Sequence, residues 1–110
     1  AVLAARACLR SGAGKVTVCT PRRNNDIMQI SVPEAVMCLD KEETHFSEAI
    51  DTTDFDAVGI GPGLGVKEAS AIALITQIRR TKVPVVIDAD GLNILASHRA
   101  WLQQLPKGII

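Results

Sequence analysis

The sequence predicts an α/β domain of three layers, with a mainly parallel β-sheet between layers of helix. Three observations predict it. Short β-branched or apolar runs alternate with segments of helical period, the pattern of strands joined by right-handed crossovers. One run, VPVVI at Val83–Ile87, is continuously apolar, as expected for a strand covered on both faces. Two clusters of glycine or acidic residues, GPGLG and DADGLN, directly follow such runs, where ligands bind in open parallel sheets.

Each element has its own local reason. Ala1–Ser11 is rich in Ala, Leu and Arg, sets Val2, Leu3 and Leu9 on a helical period and runs into Gly12 and Gly14, so a helix ended by glycine is expected. Lys15–Thr20 (KVTVCT) is β-branched and alternating, which predicts a strand, and Pro21 with the polar RRNND ends it. Glu34–Leu39 (EAVMCL) combines helix-favouring residues with a strand's short length between turn signals, and is assigned to a strand. Asp40–Asp54 is charged and polar and reads as surface, with a short helix around Phe46–Ile50. Asp56–Ile60 is a third strand. Lys67–Thr81 places Ala71, Leu74, Ile75 and Ile78 on one helical stripe. Val83–Ile87 follows as a strand, Asp88–Asn93 leads into a short helix, and Trp101–Leu105 leads into a last strand opening at Ile109 and Ile110.

With 110 residues and 47% hydrophobic side chains, one domain with one core is expected. Twelve basic residues balance twelve acidic ones, so no long-range field gathers polyanions or anionic lipid. Phe46, Phe55 and Trp101 are the only aromatics, too few to stack single-stranded bases, and nucleic acid is not expected as a partner. Cys8, Cys19 and Cys38 form no CxxC pair and read as reduced core thiols. Apolar runs stop short of the roughly 20 residues of a membrane span, and the first residues lack a signal-peptide pattern. A cytoplasmic protein with no membrane partner is expected.

Gly61, Gly63 and Gly65 allow positive φ and a close approach of backbone N–H groups to an oxygen-rich ligand, with Pro62 stiffening the loop. The spacing satisfies neither GxGxxG nor GxxxxGK[ST], so a tight strand-to-helix turn remains the alternative. Asp88, at the end of a buried strand, and Asp90, two residues on, need solvent, hydrogen bonds, a cation or a ligand. They could hold Mg²⁺ through water, orient a hydroxyl, or cap the next helix. Asn93 has a similar choice between loop hydrogen bonds and a ligand. His45 and His98 read as solvated, Arg22 and Arg23 as a solvated turn at a strand end that could meet a phosphate, and Trp101 as core or a subunit contact.

The series AVLAARACLRSGAGKVTVCTP, SVPEAVM, GIGPGLG and PVVIDADGLNIL, in that order over nearly the whole chain, resembles the ADP- or ATP-dependent NAD(P)H-hydrate dehydratase family, whose domain is similar to the ribokinase-like fold. The resemblance implies metabolite repair: hydrated NADH or NADPH loses water, with consumption of ADP or ATP and with Mg²⁺ as cofactor. It implies that Gly63 approaches the hydrated cofactor while Gly61 and Gly65 shape the loop, that Asp88 lies at the floor of the site, and that Asp90 is more replaceable. The substrate-binding set is therefore Gly61, Gly63, Gly65, Asp88 and Asn93.

The family's glycine-rich segment would precede Ala1, its PHPGE-type segment would follow Ile110, and the Asp of its GxGD motif, the expected base, lies farther downstream. Residues 1–110 are accordingly expected to be an internal piece of one dehydratase domain, truncated at both ends, without a catalytic residue and inactive alone. A homo-oligomer is expected. A ribokinase-like small-molecule kinase and a non-catalytic nucleotide-binding module are the competing readings. A Rossmann-type oxidoreductase is disfavoured by the loop spacing and by how late Asp88 falls.

Overall fold

In the computed structural model, which describes residues 1–105 and 109–110, every strand pair between described elements is parallel. The chain divides into two units, Ala1–Phe46 and Ser47–Ile110. Each unit carries its own apolar cluster, where composition alone suggested one core.

The first unit opens with helix α1, Val2–Arg10, closed where the Ser11 and Gly12 N–H groups reach back to Ala7 and Leu9 carbonyls and Gly12 takes φ +105°. Val2 and Leu9 turn inward with buried Ala5, whereas Leu3, about 100° round the helix from Val2, is 82% exposed. Strand β1, Thr17–Thr20, pairs in parallel with β2, Val36–Leu39, in the register Val18↔Met37 and Cys19↔Cys38. Side chains alternate across a strand, so Val18 and Met37 join the apolar cluster and Cys19 and Cys38 share the opposite face. The cysteines are free, but they are not core residues: Cys8 and Cys19 are exposed and Cys38 is half-buried.

Between these strands lies a helix that the sequence reading missed. Arg22–Asn24 is a 3₁₀ turn, and α2, Asn25–Ser31, continues it. The RRNND stretch ends β1 as expected, yet it also starts a helix: Asn24 donates its side-chain amide to the Thr20 hydroxyl at 2.9 Å, and Met28 and Val32, one turn apart, are each 1% exposed. Burial of those two residues outweighs the poor intrinsic propensity of the Asn-rich start. Pro33 then disfavours further helix at Val32.

The second unit begins with an extended segment rather than the short helix expected around Phe46–Ile50. The reason is Gln77, 4% exposed on helix α3, Glu68–Arg80. Its carboxamide accepts the Ile50 N–H at 2.7 Å and donates to the Ile50 carbonyl at 3.1 Å, supplying the peptide partners that a helix would otherwise provide. The same amide donates to Thr81, whose hydroxyl also meets buried Thr52. Part of the segment read as surface is thus a satisfied polar seam.

Strand β3, Val58–Ile60, pairs in parallel with β4, Val85–Ile87, and α3 connects them. Ala71, Leu74, Ile75 and Ile78 are buried, as their stripe requires, and Leu74 is 0% exposed against Val85, Ile87, Ile94 and Leu95. Val86 is 47% exposed, so β4 is buried on alternate residues and not on both faces. Helix α4, Asp90–Ser97, follows β4. Ile109 forms a parallel bridge to Val85, and Ile110 exchanges hydrogen bonds with Val85 and Ile87, the beginning of the expected last strand. Among the described residues no helix is long and apolar enough to cross a membrane.

Candidate functional site: a glycine and aspartate rim

Because β3 and β4 run in parallel, their carboxyl ends share one edge, and the GPGLG loop leaves one strand beside the point where DADGLN leaves the other. The Asp88 N–H donates to the Ile60 carbonyl at 3.1 Å, carrying the pairing past the last strand residues. Two glycines then bring the motifs together as bare backbone. A Cβ on Gly61, whose φ is +131°, would lie 1.8 Å from the Asp88 carbonyl oxygen and 3.1 Å from the Gly91 nitrogen. A Cβ on Gly91 would meet the Ile87 side chain at 2.9 Å and the Gly61 Cα at 3.3 Å. Gly61 therefore serves close packing. Gly63 and Gly65, at φ +73° and +78°, have nothing within 4 Å of a would-be Cβ and face open space.

The loop's N–H groups separate in the same way. Pro62 has none. Leu64 donates to the Gly61 carbonyl at 3.1 Å, and Gly65 donates to Asp90 Oδ2 at 2.9 Å. The Gly63 N–H donates to no group among the described residues, and because Gly63 is exposed it is open to water or a ligand. On the other loop, Ala89 takes φ +49° and ψ −124° and accepts the Leu92 and Asn93 N–H groups through its carbonyl. It is the one non-glycine residue with positive φ among those described, a conformation that costs about 1–3 kcal/mol and clusters at functional sites.

Asp88 and Asp90 have different environments. The Asp88 residue is exposed. Asp90 is half-buried with both oxygens engaged: Oδ2 by Gly65 and Oδ1 by the Asn93 side-chain amide at 3.2 Å. It makes no side-chain cap bond for α4, and it is neither the cap nor the free carboxylate that its position in DADGLN suggested. Asn93 uses its amide nitrogen for the contact with Asp90, inside the first turn of α4. No cluster of three or more metal-ligating side chains occurs among the described residues. Mg²⁺ usually keeps its waters and takes one or two carboxylates together with ligand phosphates. Asp88 fits that role; Asp90, already doubly bonded, fits it poorly.

The remaining candidates lie elsewhere. Arg22 and Arg23 are exposed beyond β1, their N–H groups donating to the Glu42 and Glu43 carbonyls. His45 is beside the Thr44 hydroxyl. His98 is not simply solvated: its ring stacks on Trp101 with centroids 4.1 Å apart, and Nδ1 donates to the Ile94 carbonyl at 2.9 Å. Trp101 lies in a 3₁₀ stretch, Arg99–Gln104, against the core. A cavity of about 300 Å³ beside Thr53, Arg80 and Lys82 lies just ahead of β3 and β4, at their amino ends, opposite the rim. What sequence reasoning missed is the bond from Gly65 to Asp90, because it joins residues 25 apart in the chain.

The chain resembles known proteins in sequence and in fold. Residues 1–110 match the sequence profile of the NAD(P)H-hydrate dehydratase family. The chain is 37% identical over 98 residues to an ADP-dependent (S)-NAD(P)H-hydrate dehydratase of Listeria monocytogenes, covering 87% of this chain and 35% of the relative. It is 38% identical over 109 residues to the enzyme of that description from Streptococcus thermophilus, covering 96% and 37%. A bifunctional NAD(P)H-hydrate repair enzyme of Vibrio cholerae is 36% identical over 100 residues, covering 91% and 20%. The chain thus spans about a third of the length of the first two. A solved ribokinase-like superfamily protein from Enterococcus faecalis superposes with a TM-score of 0.78 at 23% identity, over 98% of this chain and 38% of that one, and shows the fold to be ribokinase-like.

Proposed function

The chain belongs to the NAD(P)H-hydrate dehydratase family, and from that premise we propose that it supplies the substrate side of an enzyme that returns hydrated NADH and NADPH to NADH and NADPH with consumption of ADP. One observation carries the assignment to this rim: Gly63 presents an N–H with no partner among the described residues, at positive φ and in open space, on the strand edge that Asp88 also reaches. Backbone so placed suits the oxygen atoms of a pyrophosphate-bearing ligand. Gly61 and Gly65 hold the loop, and Asn93 stands beside it.

In the proposed reaction the ring hydroxyl of the hydrated nicotinamide gives its proton to water and attacks the terminal phosphorus of ADP, whose bond to the bridging oxygen breaks so that AMP leaves. The C–O bond then breaks and inorganic phosphate leaves with its electron pair, a neighbouring carbon gives up a proton to water, and the electrons of that C–H bond restore the ring's conjugated double bond. Phosphoryl transfer depends on position and charge more than on covalent help from protein, which suits a site of backbone and one carboxylate. Asp88, through water, is the residue here that would hold Mg²⁺, which when bound offsets phosphate charge. The "ADP-dependent" description of two relatives supports ADP over ATP as the phosphoryl donor. The names of the matched relatives do not favour the small-molecule kinase reading. The free cysteines support a reducing, cytoplasmic setting.

Thermal unfolding of the protein with hydrated NADH, intact NADH, ADP and ATP in turn tests the assignment, because a ligand bound only by the folded state raises the transition temperature. A rise with hydrated NADH exceeding any rise with intact NADH is expected. Equal rises with the two forms, or none with either, would overturn the reading.

A further inference from the structure

We propose that Asp90 is the positioning residue of the rim, locking the glycine loop in its ligand-receiving shape by accepting the Gly65 N–H on one oxygen and the Asn93 amide on the other. This rests on the reading of the rim as the substrate site and adds to it a residue that acts through the loop and not on the substrate. The loop's near end is fixed, since Gly61 is packed against the Asp88 carbonyl and Gly91. Leu64 packs against the core. Gly63 and Gly65 have no side chain to anchor them, and nothing lies within 4 Å of where a Cβ would be. The far end is tied down by the 2.9 Å bond from Gly65 to Asp90, and bonds to an ionised acceptor are stronger than neutral ones.

The Asp90 carboxylate is itself aimed by Asn93, at 3.2 Å on the first turn of α4. A consequence follows for the ligand. With the Gly65 N–H consumed by Asp90 and the Leu64 N–H by Gly61, the exposed Gly63 N–H remains accessible to it, whereas Gly61 is buried. Asp90 therefore withdraws the Gly65 N–H from the ligand and holds the segment that carries Gly63. Its replaceability is limited to side chains that keep an acceptor oxygen at this place.

The test compares Asp90→Ala and Asp90→Asn in the full-length protein, by steady-state turnover of hydrated NADH and by amide hydrogen exchange. Asp90→Ala is expected to raise KM for hydrated NADH about tenfold with kcat little changed, the signature of lost substrate positioning. It should also speed exchange at the Gly65 amide about tenfold while Leu74 and Ile78 amides, which report the intact core, exchange as before. Asp90→Asn, which keeps one acceptor oxygen, should restore both readouts to within about twofold of the parent. Unchanged Gly65 exchange in the alanine variant, or faster exchange without a rise in KM, overturns the proposal. Equal damage by Asn and Ala also overturns it, because that would assign the charge itself to cation binding. Failure of the parent protein to turn over hydrated NADH counts against the proposed reaction alone, and the Gly65 exchange comparison then decides the role of Asp90.

Discussion

Three glycines in one pentapeptide have different physical duties. Gly61→Ala would place a methyl group 1.8 Å from a backbone oxygen at φ +131°, and neither neighbour is a side chain that can swing away. A loss of at least about 3 kcal/mol of stability is expected, read as a fall in the urea midpoint. Gly63→Ala meets no atom, so only the positive φ opposes it, about 1–2 kcal/mol. Its larger effect should be on ligand affinity, and isothermal titration with hydrated NADH separates the two variants. Cys19 shows a different kind of constraint. Burial first, then a hydrogen bond to Cys38 and the charges of Cys38 and Asp40, push its thiol from 9.0 up to about 12, although the residue as a whole is exposed. The native state thus keeps a proton that the unfolded chain releases above pH 9. The stabilisation is full below that pH and is lost as pH climbs towards 12. A urea midpoint falling across that window, more steeply in the parent than in Cys19→Ser, is the expected result.

Helix α3 has two working faces. Its apolar stripe was plain from spacing, and the structure buries all four of the residues read on it. The polar Gln77 on the same helix was silent in the sequence, because a glutamine at a helix position is ordinarily solvated. Here it pairs with both the N–H and the carbonyl of Ile50. Gln77→Ala would leave those two groups without their partner, while the Thr81 hydroxyl keeps the Gln77 main-chain carbonyl and Thr52, and a loss of about 2–4 kcal/mol is expected by chemical denaturation. Gln77→Glu, which retains the acceptor but no donor at neutral pH, should recover only part of it. The strands were legible by β-branching and alternation, but short: β3 and β4 each keep three of the five residues assigned to them. Helix α2 was hidden because what stabilises it is long-range, the burial of Met28 and Val32, while its first residues carry turn propensity.

At the scale of the molecule, alternation of strand and helix predicted parallel pairing, and each described pair is parallel. The sequence also placed GPGLG and DADGLN after strands, and parallel pairing of β3 with β4 brings them to one edge. What could not be read was how they touch. The contact is made by the absence of side chains at Gly61 and Gly91 and by a carboxylate reaching 25 residues back, and no local pattern encodes either. The even charge balance and the free thiols were legible as composition; the exposure of those thiols was not, because it depends on which face of β1 and β2 each occupies. The joint between the motifs is main chain meeting main chain, which separates chassis from decoration. Pro62, Val66 and Leu92 are solvent-facing and leave room for other side chains, whereas any engineering that adds bulk at Gly61 or Gly91 dismantles the frame itself.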